Sequence, residues 1–225
     1  MKKNLHQLKI QIDALTVFAK IKEDDVINKL CALLEAVSGK PGDDMVRLYS
    51  DFVAALYPNS VSLTEYVRPL MLQDDNFYVK GRAAGRPAEP EVMDAVEAEL
   101  SILQKIADLR AGDMKAALGY DDYLPSWKNH SVDLKYDFME KLQNITKTGY
   151  GIFAKYAFFR LDDGDIIPVA HPDFQKMDQL FEYKRERDLI LKNTEALVSG
   201  AGASNMLLYG DAGTGKSSTI KAVAH

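Results

Sequence analysis

Gly210-Asp211-Ala212-Gly213-Thr214-Gly215-Lys216-Ser217 is the stretch on which the reading of this chain turns. It runs glycine, four free positions, glycine, lysine, hydroxyl residue, and each requirement has a physical cause. Glycines let successive backbone N–H groups turn inward and cradle phosphate oxygens along a path that side chains would obstruct. Lys216 is placed to reach the β- and γ-phosphates of a nucleotide, and the Ser217 hydroxyl to ligate Mg²⁺, with Ser218 beside it. A helix opening at the lysine adds unpaired amides and the positive end of its dipole.

The flanks agree with that reading. Met206-Leu207-Leu208-Tyr209 is a short apolar run of the kind a buried parallel strand needs. From Ser217 to His225, Ile220, Val223 and Ala224 recur at helical spacing. Strand, glycine-rich loop and helix thus arrive in the order of a phosphate-binding loop. The alternative is a glycine-rich surface turn.

Upstream, residues 1–150 read as helices. Leu5, Leu8, Ile12, Leu15 and Phe18 form one apolar stripe on one helix. Asp24 or Asp25 caps the next, with Ile27, Leu30, Leu34 and Val37 inward, ending at Ser38-Gly39 before Pro41. Asp43 or Asp44 opens a third, which Pro58 stops. Ser62-Leu63-Thr64-Glu65 is a capping box for a fourth, kinked or ended by Pro69. Pro90 starts a long fifth, with Val92, Val96, Leu100, Leu103 and Ala107 as its seam. Ser131 caps another, with Leu134, Phe138, Leu142 and Ile145 inward.

After Gly149-Tyr150-Gly151 the period changes. Ala154 to Leu161, a turn at Asp162-Asp163-Gly164-Asp165, and Ile166 to Val169 make a β-hairpin. His171-Pro172-Asp173 is an extended linker, and Glu182 to Val198 a charged amphipathic helix that Gly200-Ala201-Gly202 breaks. The divisions are a helical domain at 1–150, hairpin and linker at 151–172, and the loop-bearing module at 173–225.

Composition narrows the rest. Of 225 residues 47% are hydrophobic and 27% charged, which suits a globular protein with a core. A net charge of −5 argues against a general nucleic-acid or membrane-surface binder. Cys31 is the sole cysteine, so neither an intrachain disulfide nor a cysteine-rich zinc site forms. Without a signal-peptide run or an apolar stretch of roughly 18 residues, a cytoplasmic location is expected. Asp162, Asp163 and Asp165 lack the spacing of a calcium loop, and a hairpin turn explains them. Gly81 to Pro87 is a basic, flexible loop, read as a solvated linker. Trp127 and its tyrosines are read as closing a core.

Asp173 to His225 resembles the opening of an AAA+ ATPase module. More narrowly, Lys192-Asn193-Thr194-Glu195, Leu207-Leu208-Tyr209-Gly210-Asp211 and Gly213-Thr214-Gly215-Lys216-Ser217-Ser218 resemble the uncharacterised bacterial AAA+ family known as domain of unknown function 815. Gly119-Tyr120-Asp121-Asp122-Tyr123-Leu124-Pro125-Ser126-Trp127 and His171-Pro172-Asp173 are similar to its N-terminal half. Ala212 stands where that family tends to carry a basic residue, and Phe181-Glu182-Tyr183 lacks the glycine usual ahead of the first AAA+ helix.

The resemblance implies an α/β P-loop NTPase start, an incomplete AAA+ module, preceded by a mostly α-helical domain with a small β-hairpin. It implies ATP and Mg²⁺ held by Gly210 to Ser218, and an adenine pocket around Leu180, Phe181 and Tyr183. It implies a protein partner or homo-oligomerisation through the remaining AAA+ portion. Walker B acids, a sensor and an arginine finger would lie beyond His225, so the chain reads as the N-terminal part of a longer ATPase or as a prematurely ended product. On that reading it binds ATP weakly and has no catalytic residue of its own. The rival from another class is a non-catalytic helical partner-binding module with a vestigial nucleotide loop. A GTPase would add Asn-Lys-x-Asp, which does not occur, and a small kinase would carry its loop near the N-terminus.

Overall fold

The computed structural model describes residues 2–38, 44–173 and 175–224, and the chain divides into two compact units, Met1–Gly151 and Ile152–His225. The first is helical. Helix α1 (Lys2–Asp13) buries Leu5, Leu8 and Ile12 and then stops, although Leu15 and Phe18 continue the apolar stripe and are also buried. The stop is tertiary. Glu99, only 5% exposed, accepts the amides of Thr16, Val17 and Phe18 and the Thr16 hydroxyl, at 2.6–3.2 Å. A carboxylate that claims three successive amides holds the chain out of the helical path, and a short 3₁₀ turn (Ala19–Glu23) follows.

Asp24 then caps α2 (Asp25–Ser38) by accepting the Ile27 amide at 3.0 Å. Helix α3 is Asp44–Leu56; the sequence signals at Gly39, Pro41 and Asp43 lie outside the described residues. At α4 (Leu63–Gln73) only half of the expected capping box forms. The Ser62 hydroxyl accepts the Glu65 amide at 3.3 Å, while the Ser62 amide goes to the Ser60 hydroxyl instead of Glu65. Pro69 does not end α4, which continues to Gln73.

Two helices escaped the apolar pattern because they are short: α5 (Phe77–Ala83), capped by Asn76, and α7 (Ala111–Leu118), which closes on left-handed Gly119. Between them α6 (Pro90–Ala107) has proline at its first turn and buries Val96, Leu100, Leu103 and Ala107. The carbonyls at and just beyond its C-terminus are met from afar. The Thr64 hydroxyl and the Asn129 amide donate to Ala107 O, and the Trp127 indole donates to Leu109 O at 2.8 Å. Trp127 also packs edge-on against Phe52 at 5.1 Å between ring centres, so it closes the core, whereas its neighbours Tyr120 and Tyr123 are exposed and do not.

Helix α8 (Leu134–Gln143) is capped by Asp133, not Ser131: its carboxylate accepts the Tyr136 amide at 2.9 Å. Ile145 belongs to a separate turn, α9 (Ile145–Thr148).

In the second unit, α10 (Ile152–Lys155) takes the start of the stretch read as a strand, and the hairpin is β1 (Phe159–Asp162) paired antiparallel with β2 (Asp165–Pro168). Asp163 and Gly164 turn the corner with φ of 48° and 93°, the left-handed pair a two-residue hairpin needs. A 3₁₀ turn (Met177–Gln179), helix α11 (Lys184–Val198) and helix α12 (Lys216–Val223) complete the described elements, and His225 lies outside the described residues. Met206-Leu207-Leu208-Tyr209 forms no strand. Among the described residues it has no ladder partner, and Leu207 and Tyr209 stand 85% and 88% exposed.

Candidate functional site

The loop from Gly210 to Gly215 depends on backbone conformations that favour glycine. Gly210, Gly213 and Gly215 have φ of 144°, 83° and 76°. An alanine at any of the three would be strained whatever space surrounds it. Gly215 is the N-cap of α12, and no side chain caps that helix end. The amides of Lys216, Ser217 and Ser218 have no acceptor among the described residues, as the first turn of a helix dictates. They point their partial positive charge towards the loop.

Lys216 is stapled across that loop. Its ammonium donates to Gly210 O at 2.9 Å, Asp211 O at 2.6 Å and the Thr214 hydroxyl at 3.1 Å. Thr214 in turn donates to Asp211 O at 2.9 Å. Thr219, the single buried residue of this unit among those described, donates to Gly215 O at 2.9 Å and ties the loop's end to the helix. A ring of amides with one ammonium at its rim is chemically suited to an anion with several oxygens.

A cleft of about 580 Å³ runs between the start of α11 and the segment that enters the loop. Tyr183, Glu186, Arg187 and Ile190 line one wall, Met206 to Asp211 the other, and Thr214, Lys216 and Thr219 the end. Asn193 holds the two walls in register. Its side chain donates to Ser204 O at 2.8 Å and accepts the Ser204 amide at 3.0 Å.

The residues singled out from sequence divide accordingly. Gly210, Asp211, Thr214 and Lys216 border the cleft; Ser217 is exposed and Ser218 half-buried beside them; Ala212 and Gly213 are exposed and do not line it. Tyr183 borders the cleft, whereas Leu180 and Phe181 do not line it, and Phe181 stands 88% exposed. Glu182 and Tyr183 both adopt left-handed backbone, with φ of 64° and 50°. That costs roughly 1–2 kcal/mol per residue. Helix α11 consequently begins at Lys184 and not at Glu182. The Arg187 amide donates to Tyr183 O at 3.0 Å and its guanidinium to Phe181 O at 3.2 Å, bonds that hold the strained corner. Asn193 stands in the sequence only as part of the motif Lys192-Asn193-Thr194-Glu195, and Arg187 has no individual signal; their roles exist only once α11 lies along the loop's entry.

Among the described residues, no group of three or more His, Cys, Asp or Glu side chains gathers to hold a metal ion, at Asp162 to Asp165 or elsewhere. Cys31 is packed against the helical core, and burial raises its thiol pKa to about 11. No described helix is long and apolar enough to cross a membrane.

Residues 153–225 match the family described as "Protein of unknown function (DUF815)", so the resemblance to that family holds over this last third of the chain. The match includes His171-Pro172-Asp173 and leaves Gly119 to Trp127 outside it. No curated protein and no solved structure matches the chain.

Proposed function

We propose that this chain binds Mg-ATP through Gly210 to Ser218, as a member of the AAA+ ATPase class. The observation that carries the reading is a loop with three glycines at positive φ, ending in a helix whose first residue, Lys216, is held over it. Bound Mg-ATP supplies an anionic polyphosphate and a divalent charge. The chain's own part is to bind and orient it. The amides at the start of α12 donate to phosphate oxygens, and Lys216 exchanges its contact with Thr214 for a phosphate oxygen. The exposed Ser217 hydroxyl stands one residue further on, free to meet the metal. The apolar side chains of the cleft and Tyr183 offer the nucleoside an apolar wall.

Titration calorimetry of Mg-ATP into the chain and its Lys216→Ala variant tests the proposal. Loss of the ammonium is expected to weaken binding about tenfold or more, on the order of 1.4 kcal/mol. Equal affinities overturn it. Absence of binding in both favours the helical partner-binding module with a vestigial loop.

A further inference from the structure

We propose that Arg187 is a second polyphosphate-binding cation of this site, reaching it from α11. The proposal rests on the nucleotide-binding reading above. Its starting point is register. Asn193 and Ser204 exchange two hydrogen bonds, which pins the chain entering the loop to a known level of α11. From Ser204 to Gly210 that segment contains no helical turn. Six such residues cover up to about 20 Å when extended. Going back along α11 from Asn193 to Arg187 spans only about 9 Å. The glycine loop is therefore carried to the N-terminal end of α11, and Arg187 lines the same cleft as Gly210, Asp211 and Lys216.

The second argument is charge. Among the described residues Arg187 makes one side-chain bond, from Nη1 to Phe181 O, which uses one of five guanidinium donors. Glu186 and Asp211 line the cleft too, yet Arg187 is in no ion pair among the described residues. A guanidinium and an ammonium thus share one cleft with the free amides that open α12, and among the described residues neither cation is in an ion pair with a carboxylate. Like charges placed together are stabilised by an anion between them. A planar fork next to a point charge suits a phosphate chain, which offers oxygens on successive phosphorus atoms. Tyr183, on the same wall, is the better surface for an uncharged base.

The experiment compares ATP, ADP and adenosine binding to the chain and to Arg187→Gln, Arg187→Lys and Lys216→Ala. Gln keeps much of the stem's packing and removes the charge; far-UV circular dichroism checks α11 in each. Arg187→Gln is expected to weaken ATP about tenfold, to weaken ADP less, and to leave adenosine unchanged. Arg187→Lys should recover part of the loss. Unchanged ATP affinity in Arg187→Gln, with Lys216→Ala still impaired, overturns the assignment and leaves the nucleotide reading standing. An equal loss for adenosine overturns it in favour of a base contact. If the parent and Lys216→Ala bind ATP alike, the nucleotide reading fails and the Arg187 assignment with it.

Discussion

Asp74 and Asp75 are adjacent carboxylates with opposite surroundings. Asp74 is the C-cap of α4 and only 6% exposed; its Oδ2 accepts from the Asn76 side chain at 3.1 Å, while its buried Oδ1 has no partner among the described residues. Burial raises its pKa above the ordinary carboxylate range; the Asn76 bond and the charges of Lys20 and Lys141 oppose the rise, and Asp75 adds to it. Asp75, bonded by Lys20 and Lys80, is held down at about 2. The linkage signs differ. Asp75 contributes stability above its unfolded value near 3.8 that is lost as pH falls towards 2. The contribution of Asp74 is present at low pH and lost as pH rises through its elevated folded value. Asp74→Asn should therefore stabilise the protein by about 1 kcal/mol at neutral pH, a gain that vanishes on acidification. Asp75→Asn should destabilise it at neutral pH by less than about 1 kcal/mol. Thermal melts from neutral to acid pH check both, and a pH-independent effect of Asp74→Asn would contradict the account.

At the scale of elements, local signals are legible where the responding group is a near neighbour. Asp24 caps α2 three residues away, Pro90 opens α6, and Asp163-Gly164 turns the hairpin. The end of α1 was not legible, because its cause is Glu99, 83 residues from Thr16. Separations of 43, 22 and 18 residues likewise hid the groups that meet the carbonyls of Ala107 and Leu109 at the end of α6, from Thr64, Asn129 and Trp127. Glu99→Ala would leave three amides and a hydroxyl without their acceptor inside the packed α1–α6 region. The expected cost is about 3 kcal/mol, with Glu99→Gln losing roughly half as much. Urea denaturation midpoints measure it; a loss below about 0.5 kcal/mol in the alanine variant would show that water replaces the carboxylate freely.

Across the whole molecule, burial is uneven. Every buried apolar side chain among the described residues falls between Leu5 and Ile145, while Thr219 is the only buried residue described after Gly151. A unit must bury apolar surface to offset the entropy of ordering its chain, and the first unit does so across α1 to α9. Residues 1–151 expressed alone are expected to melt cooperatively, within a few degrees of the full chain. Residues 152–225 alone are expected to show no cooperative transition. Calorimetry on the two fragments decides, and a non-cooperative 1–151 would overturn the division.

Sequence by itself determined what depends on neighbouring residues. The apolar stripes gave the helical seams, the glycines and Lys216 marked the loop, and the alternation around Asp163-Gly164 marked the hairpin. The DUF815 resemblance was legible in the same short motifs. Tertiary structure decided what depends on groups far apart in the chain: where α1 stops, which residue of the Asp74-Asp75 pair is buried, and that Arg187 and Asn193 flank the loop's entry. It also decided that Met206 to Tyr209, apolar enough for a strand, is not one here. A strand is defined by hydrogen bonds to another segment, and no run of side chains can supply those by itself.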